Sequence, residues 1–136
     1  MMENKEMIEA YPLQYPIGWK RTPRTEDSRF KTSFATSRNE IVHQLRLFGA
    51  KDTIISSNIP LRRDGLPYGS YKEPDDKGVA VYFTYKGKQR CFPCDRWNRV
   101  ADNIHAIALT ISALRGIERW GSTDMMDATF MGFEAL

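Results

Sequence analysis

The stretch "GVAVYFTYKGKQRCF", Gly78–Phe92, decides how the rest of the chain is read. Val79, Val81, Phe83 and Tyr85 alternate with Ala80, Tyr82 and Thr84, the period-two pattern of a strand with two distinct faces. Lys86-Gly87 then supplies a two-residue turn, and Lys88 to Phe92 returns as a second strand. A β-hairpin at the centre of the chain is therefore expected.

Helical spacing appears on both sides of it. Phe34, Ile41, Leu45 and Phe48 share one face of a helix from Ser33 to Phe48, with Thr32 or Ser33 as its cap and Gly49 as its stop. Val100, Ile104, Ile107, Ala108, Ile111 and Leu114 make a longer stripe over Asn98–Trp120, ended by Gly121. "DTIISSNI", Asp52–Ile59, reads as a further strand, and Ser122 or Asp124 opens a short last helix with Met126, Phe130 and Phe133 inward. The order helix, three strands, helix, short helix gives an α+β class. A small antiparallel three-stranded sheet with the helices packed on one face buries both stripes.

The domain reading is one α+β domain over residues 33–136, preceded by an arm over residues 1–32. The arm begins acidic, then becomes proline-rich in "YPLQYPIGWKRTPRT", where proline favours extended backbone. Its Tyr11, Tyr15 and Trp19 are expected to pack on the domain. At 136 residues and 41% hydrophobic, the chain can bury a core without disulfides. No apolar run approaches the roughly 20 residues that span a bilayer, and residues 1–10 lack a secretory pattern, so a cytoplasmic protein without membrane contact is expected.

Net charge is only +3, but its layout is uneven. Residues 20–99 hold 17 Lys or Arg against 9 Asp or Glu, while both ends are acidic. Such a basic middle suits a polyanion, although a mixed solvated surface would give the same count. "IPLRRDGLPYGSYKEPDDKG", Ile59–Gly78, is a long connection rich in turn formers, and long loops are often functional. Arg62 and Arg63 precede its first turn with planar forks suited to phosphate, and Tyr68 and Tyr71 could stack on bases. Equally, that Arg pair could bond loop acids and carbonyls. The candidate nucleic-acid-binding residues are Arg62, Arg63, Tyr68, Lys86, Lys88, Arg90 and Arg96.

Three catalytic patterns each have a plain structural alternative. In metal-dependent nucleases, an acid-x-Lys triplet follows an earlier Asp, but here Thr84 stands where the carboxylate belongs, before Tyr85 and Lys86. "CFPC", Cys91–Cys94, has the spacing of thiol–disulfide exchange sites, yet Asp95 opposes a thiolate, and buried structural cysteines are expected. Only His43 and His105, on separate helices, could complete a zinc site with them. No catalytic residue, metal or cofactor is expected. The element order matches that of double-stranded-RNA-binding domains, but the second helix opens with Arg96 and Arg99 among acids rather than a lysine cluster.

"NIPLRRDGLPYGS", "EPDDKGVAVYF", "CDRWNRVADNIHAIALTISALRGIERWG" and "MMDATFMGFEAL" together resemble an uncharacterised family carried by bacteriophages and other mobile elements. The resemblance runs from about Tyr11 to Leu136. Longer members of that family continue into a J-domain, the co-chaperone module that stimulates an Hsp70 ATPase. This sequence has no His-Pro-Asp tripeptide, so the resemblance implies a lineage and at most a target-binding part, not a co-chaperone activity. The expected function is a non-enzymatic binding module of a phage or mobile-element protein, contacting nucleic acid or a nucleoprotein complex through a basic loop and the sheet surface. The alternatives are a protein–protein adaptor for an Hsp70 system or phage machinery, and a degenerate nuclease using Asp75 or Asp76.

Overall fold

The computed structural model describes residues 8–121 and Asp124. Along the chain run α1 (Phe34–Phe48), β1 (Lys51–Ser56), β2 (Val79–Tyr85), β3 (Lys88–Cys94) and α2 (Val100–Arg119). The sheet is antiparallel with order β1-β2-β3, and both helices pack on the same face of it. This is the α+β arrangement that the periodicity implied. The short final helix falls on residues outside the described set, apart from Asp124.

Local chemistry sets the element ends. Ser33 has extended backbone, and its Oγ accepts the Thr36 N–H at 3.1 Å, which satisfies one orphan donor of α1. At the other end Gly49 takes φ 94°, its N–H donates to the Arg46 carbonyl, and Ala50 N–H donates to that of Leu45. Those paired bonds form a Schellman motif. In the hairpin, Lys86 and Gly87 both have positive φ, 52° and 75°, the geometry that matches a two-residue turn to strand twist.

Two strands end elsewhere than the sequence reading places them. β1 ends at Ser56 rather than Ile59, because Ser57 Oγ accepts the Ile59 N–H and turns the chain. Even so, Ile59 is fully buried. β3 runs past Phe92 to Cys94, and Pro93 is tolerated because this is an edge strand.

The two faces of β2 are buried against different things. Val79, Val81, Phe83 and Tyr85 join Phe34, Ile41, Leu45, Ile104 and Ile111 in the main core. On the opposite face, Ala80, Tyr82 and Cys91 are covered by Ile8, Leu13 and Tyr15 of the arm. Tyr82 Oη donates to the Gln14 carbonyl at 2.6 Å, and Leu13 and Gln14 N–H donate to Asn58 Oδ1 and Ser56 Oγ. The arm then turns back along the start of α2. Glu26 pairs with the backbone of Arg96 and Asn98, and Ser28 Oγ donates to the buried Asp102 at 2.8 Å. Residues 8–32 are thus irregular in backbone but fixed on the folded body. None of the described helices is long and apolar enough to cross a membrane.

Candidate nucleic-acid interface

The β1–β2 connection is held from both ends. In its first half, Arg62 N–H donates to Leu66 O and Gly65 N–H to Arg62 O, while Asp64 Oδ1 accepts the Leu66 N–H. An aspartate bonding two residues ahead is the usual way this residue fixes a turn. Arg62 folds back onto Asp64 at 2.6 Å, and from α1 the Arg38 Nη2 donates to the Asp64 carbonyl at 3.1 Å. The contact with Arg62 holds the Asp64 carboxyl below the usual carboxylate range. Gly65 is required here: its φ is 82°, and a Cβ would lie 3.0 Å from Arg38 Nη2.

The second half is tied to α2. Tyr71 meets Phe34 edge-on, and Glu73 Oε1 accepts the Val100 N–H at 2.5 Å. Arg99, the N-cap residue of α2, makes no side-chain cap, so a carboxylate from 27 positions earlier in the chain does that work. The Lys77 carbonyl accepts from Asn103, and Asp76 accepts from Arg21 and from Gly78 N–H. The length of the loop follows from these tasks: it closes one end of the sheet and caps the second helix.

The structure splits the residues chosen from sequence. Arg62, Arg63 and Tyr68 lie on this loop; Tyr68 is 61% exposed, and Arg63 is exposed with no hydrogen bond or ion pair among the described residues. Lys86 and Lys88 lie at the hairpin tip, at the other end of β2. Seven residues of strand separate the two ends by roughly 20 Å. Arg96 flanks α2, pairs with Glu26 at 3.3 Å and lies 4.9 Å over Trp97. Arg90 is only 8% exposed and faces the helices opposite Phe83, so it offers a partner little surface. The back of the sheet around Ala80, Tyr82 and Cys91 is likewise covered, by Ile8, Leu13 and Tyr15 of the arm.

Other cations converge where sequence spacing did not reveal it. Ser28 bonds Asp102, Phe30 meets Trp97 edge-on, Arg99 Nη2 donates to the Thr32 carbonyl, and Glu73 caps Val100. Those contacts bring residues 28–32, 71–73 and 96–102 together. Exposed Arg29, Lys31, Lys72 and Arg99 are therefore carried by the same end of the molecule. The only signal in the sequence was the bulk excess of positive charge.

The catalytic patterns find no matching geometry. Cys91 and Cys94 face opposite sides of β3, Cys91 toward Tyr82 and Cys94 toward Asn103. Burial pushes the Cys91 thiol up to about 12 and raises that of Cys94 as well, which opposes the thiolate that exchange chemistry needs. His105 Nδ1 bonds Glu40 at 2.7 Å, and His43 is exposed on α1. Among the described residues no three His, Cys, Asp or Glu side chains come together as a metal site. Asp76 is engaged by Arg21 at 2.6 Å, and Asp75 is exposed.

Comparison with protein-family models, with curated proteins and with solved structures returns no match.

Proposed function

We propose that this chain is a non-enzymatic binding module that grips the phosphate backbone of nucleic acid with its basic end. The observation that carries the reading is the braced turn at Arg62–Leu66. Arg38 and Asp64 fix its backbone, and Arg63 and Tyr68 are left exposed beside it. A preorganised turn loses little conformational freedom on binding, so its cation contributes more to affinity than one on a mobile loop. Glu73 ties this loop to the start of α2, where Arg96 and Arg99, paired with Glu26 and Asp102, present two further exposed guanidinium groups. The resemblance of the sequence to phage and mobile-element proteins supports a nucleoprotein setting.

Fluorescence anisotropy of the full chain against single- and double-stranded DNA and RNA tests the reading. Phosphate contacts predict binding that weakens steeply with salt. Arg62→Ala with Arg63→Ala should weaken it about tenfold or more. The melting temperature should move little, because the Arg62–Asp64 pair is exposed and such pairs contribute about 0–1 kcal/mol. No binding at low salt would retire the proposal in favour of a protein partner.

A further inference from the structure

We propose that the outer edge of β1 docks an extended, acidic peptide segment of a partner protein, which adds a fourth strand to the sheet. β1 is an edge strand, paired only with β2 among the described residues. An edge presents a row of backbone donors and acceptors that an incoming strand can satisfy. Natural sheets usually cover, shorten or charge such an edge. Here the bulge between Lys51 and Ile54, with Asp52 at φ 58°, blunts only its first part. Past the bulge, Ile54 and Ile55 are left beside an apolar groove of about 250 Å³ whose other wall is Val42 of α1 and Leu61 of the loop.

Two further observations fix the occupant. The chain's own arm already bonds its backbone beside this edge: Ser57 N–H donates to the Ala10 carbonyl at 2.9 Å, just beyond the end of β1, and Ala10 lines one end of the groove. An added strand would continue along the edge from that point. The second observation is charge. Among the described residues, Arg38 is the only charged one lining the groove, with Nη1 on Asn39 and Nη2 on the Asp64 carbonyl. Of its five N–H donors, three have no acceptor among the described residues. A carboxylate on the incoming strand is the group that would engage them. A phosphate backbone has no apolar surface to fill the groove. The occupant is therefore an extended segment with an Asp or Glu among small apolar residues, its alternate side chains meeting Ile54 on one side and Val42 with Leu61 on the other.

The test is selection of randomised twelve-residue peptides displayed on phage against the full chain, followed by binding of the enriched peptides as labelled synthetic copies. Enrichment of apolar-x-apolar sequences carrying an acid is expected. These peptides should shift the backbone amide NMR signals of Thr53–Ser57, and changing their acid to the amide should weaken binding several-fold. Val42→Lys, which puts an ammonium in the apolar wall, should weaken peptide binding about tenfold or more. It should leave nucleic-acid affinity unchanged, so the two proposals fail separately. The proposal is overturned if no sequence is enriched, or if enriched peptides shift amides elsewhere. It is also overturned if the Thr53–Ser57 signals move with protein concentration alone, which would make the occupant a second copy. NMR mapping needs no variant, so misfolding of Val42→Lys would not blunt the test.

Discussion

Replacing Asn103 with alanine should cost far more than the loss of one small polar side chain. Asn103 lies in the first turn of α2 with no exposed surface and makes four hydrogen bonds. Its Nδ2 donates to the carbonyls of Lys77 (2.8 Å) and Trp97 (3.1 Å), and its Oδ1 accepts from Trp97 N–H (2.9 Å) and Cys94 Sγ (3.2 Å). One amide thereby joins the end of β3, the turn before α2 and the end of the long loop. Alanine leaves one buried N–H and two carbonyls without these partners, at about 1–3 kcal/mol for each group not rescued by water. A total of about 3–5 kcal/mol is expected, a large fraction of the ~5–15 kcal/mol that stabilises a domain. With an unfolding entropy of roughly 2 cal/mol/K per residue, the melting temperature should fall by about 10–17 °C. Asn103→Asp should be at least as damaging at neutral pH, since it points an acceptor at two carbonyls. Urea unfolding followed by circular dichroism reads both variants. A loss below about 1 kcal/mol for Asn103→Ala would refute the reasoning, because it would mean these bonds add nothing beyond what water supplies.

Burial works to raise the Asp95 carboxyl, but bonds from Thr22 and Arg21 outweigh it and hold the group below the usual carboxylate range. Its stabilising contribution is therefore complete above the unfolded pKa of about 3.9 and is lost as pH falls through the lower folded value. Acidification through that window should loosen the arm, read by Trp19 fluorescence, and Asp95→Asn should remove the dependence; an unchanged profile would place the titration elsewhere. Cys91 and Cys94 should react slowly with a thiol reagent in the native protein and quickly in urea, and should form no mutual disulfide under mild oxidation. Fast native reaction of Cys91 would contradict its burial, and a Cys91–Cys94 disulfide would contradict their placement on opposite faces of β3. Gly65→Ala should cost about 1 kcal/mol or more through its positive φ and the nearby Arg38, and a neutral effect in thermal melts would show that the turn relaxes freely.

Periodicity and capping residues carry most of the fold. Ser33, Gly49 and Lys86-Gly87 act through bonds to immediate neighbours, so their roles are visible in a short window of sequence. The cap of α2 was not legible because it comes from Glu73, remote in the chain. The same holds for the arm: proline content announced extended backbone, but only the tertiary fold shows Leu13 and Tyr15 closing the back of the sheet. Among the candidate contacts, alternation along β3 was the missing step for Arg90. Its position opposite Phe83 turns it toward the helices, a face assignment that depends on register. Arg29, Lys31, Lys72 and Arg99 were counted as charge, yet nothing local says that three separate segments meet at one end.

The most direct test of the nucleic-acid account is the salt dependence of affinity for a short duplex, compared between the natural chain and Arg62→Ala with Arg63→Ala. The account predicts that log K falls linearly with log salt with a slope of about −3 or steeper, and that the double substitution makes the slope shallower by about 2. Equal slopes for the two proteins, or no binding at low salt, would contradict it.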